Sequence, residues 1–196
     1  MKNLLKSFLT ALALITSLSS LAFADTYAID KAHSSIGFSV MHLMVSTVRG
    51  EFTDYEGTLQ FDPNNPEATA AEVVIQATSV DTRQPDRDIH LRKPEFFDVE
   101  KYQTIIFKSK SAKKDGANFL LTGDLTLRGV TKEIVIPVVI NGPVKGMKGQ
   151  DVIGLSGQTK INRQDFGVSW NKQMDQGGYV VGDEVTIEIN IEAHKQ

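Results

Sequence analysis

From Val181 onward the chain alternates with a period of two. Val181, Val185, Ile187, Ile189 and Ile191 fall on one side; Gly182, Glu184, Thr186, Glu188, Asn190 and Glu192 fall on the other. Only Asp183 breaks the apolar side. Successive side chains of a strand point to opposite faces, so this stretch predicts a strand with one buried and one wet face. A chain that ends this way must supply an apolar layer for that face to pack on.

The same pattern recurs less cleanly elsewhere. Ile36, Phe38 and Val40 alternate with Gly37 and Ser39, and Gly57, Leu59 and Phe61 with Thr58 and Gln60. Val73 with Ile75, and Ile105 with Phe107, give two shorter segments. Phe119, Leu121, Gly123, Leu125 and Leu127 form another apolar row. Arg128-Gly129-Val130 then predicts a tight link into Lys132–Ile140, with Gly129 free to take a positive φ. Ile134–Ile140 is apolar on both faces, which predicts a covering element, and Pro137 predicts an edge strand or a bulge. Val152–Ile161 adds one more strand, and Gly142–Gly149 reads as a loop. About eight short strands separated by turn residues predict an all-β, antiparallel sheet, either closed into a barrel or folded as a sandwich.

The first 24 residues do not fit this scheme. Lys2 and Lys6, an apolar run from Phe8 to Leu21, and Ala22-Phe23-Ala24 predict an export signal cleaved after Ala24, with an uncleaved anchor as the alternative. The domain is then 25–196. Its bases fall from 21 to 19 against 24 acids, so the net charge of −3 becomes −5. An acidic domain argues against nucleic acid and against electrostatic docking on anionic lipid. The absence of cysteine excludes disulfides, thiol catalysis and thiolate metal sites.

One segment interrupts the strands: Thr82 to Phe97, T-R-Q-P-D-R-D-I-H-L-R-K-P-E-F-F. Pro85 suits a first helical turn, Asp88 and Arg92 have the spacing of a helical ion pair, and Pro94 ends the helix. The reading is a short helical insertion near residues 85–97 with solvated charges. Leu91, Phe96 and Phe97 then descend on the end of the sheet as a lid.

Catalytic signals are sparse. The histidines are His33, His42, His90 and His194. His42 shares parity with Ile36, Phe38 and Val40, so it points inward, either as a ligand contact or as a buried histidine satisfied by a neighbour. An odd separation sets His33 and His42 on opposite faces of one continuous strand, so no metal pair is expected there. Arg163-Gln164-Asp165-Phe166-Gly167-Val168 reads as a turn with a buried phenylalanine, and Trp170 shares its parity. An eight-stranded barrel can fill itself with side chains or hold one ligand.

Several motifs resemble the YceI-like family. They are Asp30-x-x-His33-Ser34, Phe38-x-Val40-x-His42, Arg49-Gly50-x-Phe52 and Arg87-Asp88-x-His90-Leu91-Arg92. Phe96-Phe97-Asp98, Leu125-Thr126-x-Arg128-Gly129-Val130-Thr131-Lys132 and Arg163-x-Asp165-Phe166-Gly167 follow in order. The resemblance implies an exported, periplasmic, lipocalin-like β-barrel that binds a polyisoprenoid chain in an apolar pore. It implies binding rather than catalysis, with no cofactor beyond the lipid and no metal.

The pore contacts expected by parity are Ile36, Phe38, Val40, His42, Phe52, Leu59, Phe61, Val73, Ile75, Phe107 and Leu125. Leu91, Phe96, Phe97, Phe166 and Trp170 join them from the irregular segments. The expected partner is an isoprenoid lipid or quinone-like molecule, with a transient membrane contact and a homodimer both left open. The competing readings are a ligand-free stress-related interaction module and a quinone- or lipid-directed enzyme using His42 as base.

Overall fold

The protein is described here by a computed structural model covering residues 24–175 and 177–196. Apart from Ala24, the expected export signal lies outside the described residues. The strands are β1 (Asp25–Ile29), β2 (Ser35–His42), β3 (Ser46–Phe52), β4 (Tyr55–Phe61), β5 (Ala70–Gln76), β6 (Val80–Asp81), β7 (Thr104–Asp115), β8 (Asn118–Leu127), β9 (Val130–Lys145), β10 (Asp151–Asn162) and β11 (Val181–Lys195). One helix, α1 (Pro85–Leu91), lies between β6 and β7.

Antiparallel pairing runs β1-β4-β5-β7-β8-β9-β10-β11, and β11 returns to β1, which closes an eight-stranded barrel. Of the two architectures the alternation allows, the closed one leaves the ring without a free edge. The other three strands are continuations. β2, β3 and β6 extend β1, β4 and β5 beyond breaks at Lys31–His33, 53–54 and Ala77–Ser79. β11 spans the first break: it pairs with β1 through Ala193–Lys195 and with β2 through Asn190–Val181.

The inward residues are those the alternation predicts. Ile191 and Ala193 of β11 are buried, as are Ile153 and Leu155 of β10 and Leu121, Leu125 and Leu127 of β8. Asp183, the exception in the C-terminal pattern, sits in a bulge where the β11–β2 register shifts between Val181 and Val185. There its carboxylate meets Arg163 at 3.0 Å. The Leu127-Arg128-Gly129-Val130 link turns as expected, with φ of 50° at Arg128 and 72° at Gly129.

Four expectations are corrected. Among the described residues no element covers Ile134–Ile140: Val135 and Val139 are exposed on the outer face while Ile136 and Val138 are buried. β9 is not an edge strand, and Pro137 itself sits in a regular ladder with β8; the irregularity of β9 lies further on, where its register with β10 shifts between Val152 and Gly154. The loop after β9 is shorter than Gly142–Gly149, because β9 runs to Lys145. Finally, the charges of the helical segment are not merely solvated.

Asp88 is 7% exposed and does not pair with Arg92. It accepts from Thr82 N at 2.8 Å and from Thr82 Oγ1 at 2.5 Å. Arg87 donates to Thr82 Oγ1 and Thr82 O, and Arg92 to the carbonyls of Thr78 and Val80. The helix is only seven residues long, too short to be stable alone. These side chains bond it to the β5–β6 backbone instead.

Two inward glycines set the wall thickness. A Cβ on Gly50 would lie 2.5 Å from Phe38 Cζ, and one on Gly123 would lie 2.6 Å from Phe107 Cζ and 2.6 Å from Lys108 O. Each glycine therefore leaves a slot in which the neighbouring ring lies against the wall.

Two outcomes follow from this packing. Asp88→Ala strands the buried Thr82 donors and should cost about 1–3 kcal/mol in urea unfolding, with a smaller loss for Asp88→Asn. Gly123→Ala meets a backbone oxygen that cannot swing away, and should lower stability by about 1–3 kcal/mol in the same measurement.

Candidate ligand cavity

The barrel encloses a cavity of about 330 Å³. That is within the range of about 300–1,000 Å³ usual for small-molecule sites. One end is closed. Tyr27, Phe61, Ile153 and Ala193 are all less than 5% exposed there. The other end reaches the surface beside the β2–β3 hairpin, where Met41 lines the cavity and is 44% exposed.

The wall is aliphatic and aromatic. Val185, Ile187 and Ile189 of β11 line it and remain only partly buried, whereas Ile191 and Ala193 nearer the closed end are buried. Ile191 still lines the cavity, and Ala193 lies below it, outside the lining. Among the described lining residues, the polar side chains are His42, Arg87, His90 and Arg163, with the indole of Trp170. His42 comes from the end of β2, Arg87 and His90 from α1, and Arg163 from the turn after β10. The polar groups thus gather at the α1 end, and the shaft below them is apolar.

α1 and the turn after it form the cap. Phe97 N donates to Leu91 O, and Val99 N to Arg92 O, which folds the chain back under the helix. Phe97 packs on Phe52 with centroids 5.7 Å apart, and Phe52 on Phe38 at 5.8 Å. Phe96, His90 and Trp170 form a second cluster with centroids 4.9–5.3 Å apart. His90 Nε2 also meets Glu95 Oε1 at 3.1 Å. The Glu95 carboxyl is held below its usual range by its own backbone amide and by His90.

Arg163 holds the opposite side of the cap. It is 4% exposed and donates to the carbonyls of Val168 (2.6 Å), Trp170 (2.9 Å) and Gly182 (2.8 Å). Burial pulls its pKa down, and Asp183 opposes that shift. A single guanidinium therefore fixes the connection that carries Val168 and Trp170 into the wall. Arg128 supports it from below, bonding the carbonyls of Gly167 and Pro94.

Fourteen of the sixteen expected pore residues line the cavity: Ile36, Phe38, Val40, His42, Phe52, Leu59, Val73, Ile75, Leu91, Phe96, Phe97, Phe107, Leu125 and Trp170. Phe61 and Phe166 do not. Phe61 has the right parity but pairs with Asp25 at the closed end, below the cavity floor. Phe166 is buried in the 3-10 turn Arg163–Phe166, where strand parity does not apply. His42 lies inward, yet it makes no side-chain hydrogen bond to another described residue, against the reading of a histidine satisfied by a neighbour.

Several wall residues lie outside the expected set, including Ala71, Ile105, Leu121, Leu127 and Leu155, and two rows among them are instructive. Ile134, Ile136 and Val138 of β9 were obscured by the apolar outer face of the same strand. The β11 row had the clearest alternation of all and could have been assigned from it. Arg163 is marked by the family motif that it opens, but nothing in the sequence shows that its partners are mostly carbonyls.

A family model described as YceI-like domain matches residues 27–193. Protein YceI of Escherichia coli O17:K52:H18 is 38% identical over 190 residues, covering 96% of each chain. UPF0312 protein plu2095 of Photorhabdus laumondii is 40% identical over 160 residues, covering 81% of this chain and 83% of that one. A solved YCEI protein of Campylobacter jejuni superposes with a TM-score of 0.68 at 36% identity, covering 85% of this chain and 96% of that one. A polyisoprenoid binding domain from Saccharophagus degradans shares the fold with a TM-score of 0.61 at 15% identity, covering 87% and 98%. Motifs, barrel and matches agree from end to end: the chain belongs to the YceI-like family.

Proposed function

We propose that the protein is a periplasmic carrier that holds a polyisoprenoid or isoprenoid-quinone chain in the barrel and exchanges it with a membrane. The observation that carries this reading is the cavity: an apolar shaft closed at one end, with its polar side chains gathered at the other. Such a site fits a hydrocarbon tail in the shaft and a polar head near His42 and Arg87. The solved relative from Saccharophagus degradans, described as a polyisoprenoid binding domain, supports the ligand class. The reading is one of binding rather than catalysis, since the cavity wall is hydrocarbon apart from the few polar groups at its mouth.

Energetics support exchange rather than permanent capture. Each five-carbon unit gains about 3–4 kcal/mol on leaving water, at about 0.8 kcal/mol per methylene. A bilayer offers nearly the same gain. The net preference for the protein is therefore modest, and the cavity must open where a membrane can be reached.

The β2–β3 hairpin provides that approach. Val40 to Val48 contains no acid, lysine or arginine. Leu43, Met44 and Val45 at its tip are 39%, 63% and 81% exposed. Leu43 and Met44 have φ of 52° and 62°, and Val45 N donates to His42 O, the pattern of a type I′ turn. Such turns favour Asn-Gly, and a left-handed non-glycine residue costs about 1–2 kcal/mol. An apolar pair here is unfavourable both in backbone conformation and in hydration. Insertion of the tip into the apolar edge of a bilayer removes the second penalty.

Protein prepared without detergent should release a prenyl lipid on organic extraction, identified by mass spectrometry, or take up a prenylquinone from vesicles. Protein that does neither rules out the carrier reading. Ile187→Trp places a large side chain in the shaft and should abolish uptake at a stability cost of about 1–3 kcal/mol.

The hairpin makes a separate outcome. Leu43→Asn with Met44→Gly should raise the melting midpoint and slow transfer of prenylquinone from vesicles. An unchanged transfer rate removes the tip from the exchange step.

A further inference from the structure

On the outer wall, away from the cavity, four metal-ligating side chains converge. Asp30 follows β1, and His33 belongs to the 3-10 turn that breaks β1 from β2. Glu192 and His194 stand two residues apart on the outer face of β11, flanking the inward Ala193. Asp30 Oδ2 lies 2.7 Å from His33 Nδ1, which lies 3.7 Å from Glu192 Oε1. Glu192 Oε1 is 2.9 Å from His194 Nε2, which returns to Asp30 Oδ2 at 3.7 Å. Four donor atoms thus form a closed ring with edges of 2.7, 3.7, 2.9 and 3.7 Å.

A tetrahedral centre with ligand distances of about 2.0–2.1 Å separates its donors by about 3.3–3.4 Å. The ring edges straddle that value, and the donors of Asp30, His33 and Glu192 all lie within 4.8 Å of one another, so small side-chain rotations would bring these three onto one ion; His194 Nε2, 2.9 Å from Glu192 and 3.7 Å from Asp30, stands beside them and reaches the same ion through a larger rotation. Two imidazoles and two carboxylates are a ligand set suited to Zn²⁺ and its borderline neighbours.

The backbone beneath the ring is fixed. Asp30 N donates to Glu192 O at 2.9 Å, and Glu192 N donates to Ser34 Oγ at 2.9 Å. Asp30 Oδ1 accepts from Ala32 N at 3.0 Å, which orients the carboxylate and leaves Oδ2 for the ring. Lys31, the cation nearest in sequence, is bound to Asp54 at 2.7 Å and does not neutralise the two acids.

From this geometry we propose that Asp30, His33, Glu192 and His194 form a binding site for one divalent transition-metal ion of the zinc class. The ion would clip the β1–β2 joint to β11, where the barrel seam passes from one strand to its continuation. The site does not depend on the cavity or on its ligand.

The test uses Zn²⁺ alone with the purified protein. Equilibrium dialysis should find one Zn²⁺ per chain, and Zn²⁺ should raise the melting midpoint in a way that a chelator reverses. Glu192→Gln should weaken binding about tenfold or more, since even outer-shell partners are worth about 10–100-fold. A His33→Ala, His194→Ala double variant should stay folded by circular dichroism and lose both the bound ion and the zinc-dependent melting shift. Less than one equivalent of Zn²⁺ in the parent protein, or undiminished affinity in the double variant, overturns the proposal.

Discussion

The structure depends on how little side-chain volume the barrel admits to its interior. Eight strands close around a space that side chains can just fill. Whether a lumen remains is decided residue by residue along the inward rows. Gly50 and Gly123 are the decisive absences, because Phe38 and Phe107 lie in the slots they leave. An inward side chain at either position would push a ring toward the axis. The cavity is therefore a consequence of the spacing of glycine and phenylalanine on neighbouring strands, and not of a wider ring.

The two halves of the cap are held by charge rather than by apolar packing alone. On one side Asp88, Arg87 and Arg92 join a seven-residue helix to the backbone of residues 78–82. On the other, Arg163 collects the carbonyls of Val168, Trp170 and Gly182. Charged donors and acceptors bonded to backbone are stronger than neutral pairs. They give irregular segments the rigidity that a ladder gives to strands. The aromatic clusters around Phe52 and Trp170 then have fixed platforms, and the polar end of the cavity keeps its shape while the shaft stays apolar.

The opposing character of the two barrel ends follows from the same economy of volume. Below the cavity, Tyr27, Phe61 and Ile153 fill the interior and close it. Above it, three strands continue past their breaks as β2, β3 and β6, and the wall rises on that side alone. The apolar hairpin tip stands at the top of this extension, beside Met41. A tall wall with an apolar crest on one side of an opening is an arrangement suited to a ligand that leaves along a surface rather than into water.

The sequence by itself determined the strand periodicity, the inward rows, the Arg128-Gly129 turn and the place of the helix. Each of these is a local property, set by side-chain alternation, left-handed backbone or proline geometry. It also carried the family motifs, and with them the choice of a barrel over a sandwich. Only the tertiary structure decided where along the axis an inward residue lies, which separates Leu59 in the cavity wall from Phe61 beneath it. The same holds for Asp88, whose partner is Thr82 rather than Arg92, and for His33, which meets Glu192 of a strand distant in sequence. Parity gives the face of a strand but not its height, and charge gives the need for a partner but not its identity. Both are fixed only when distant segments are brought into register.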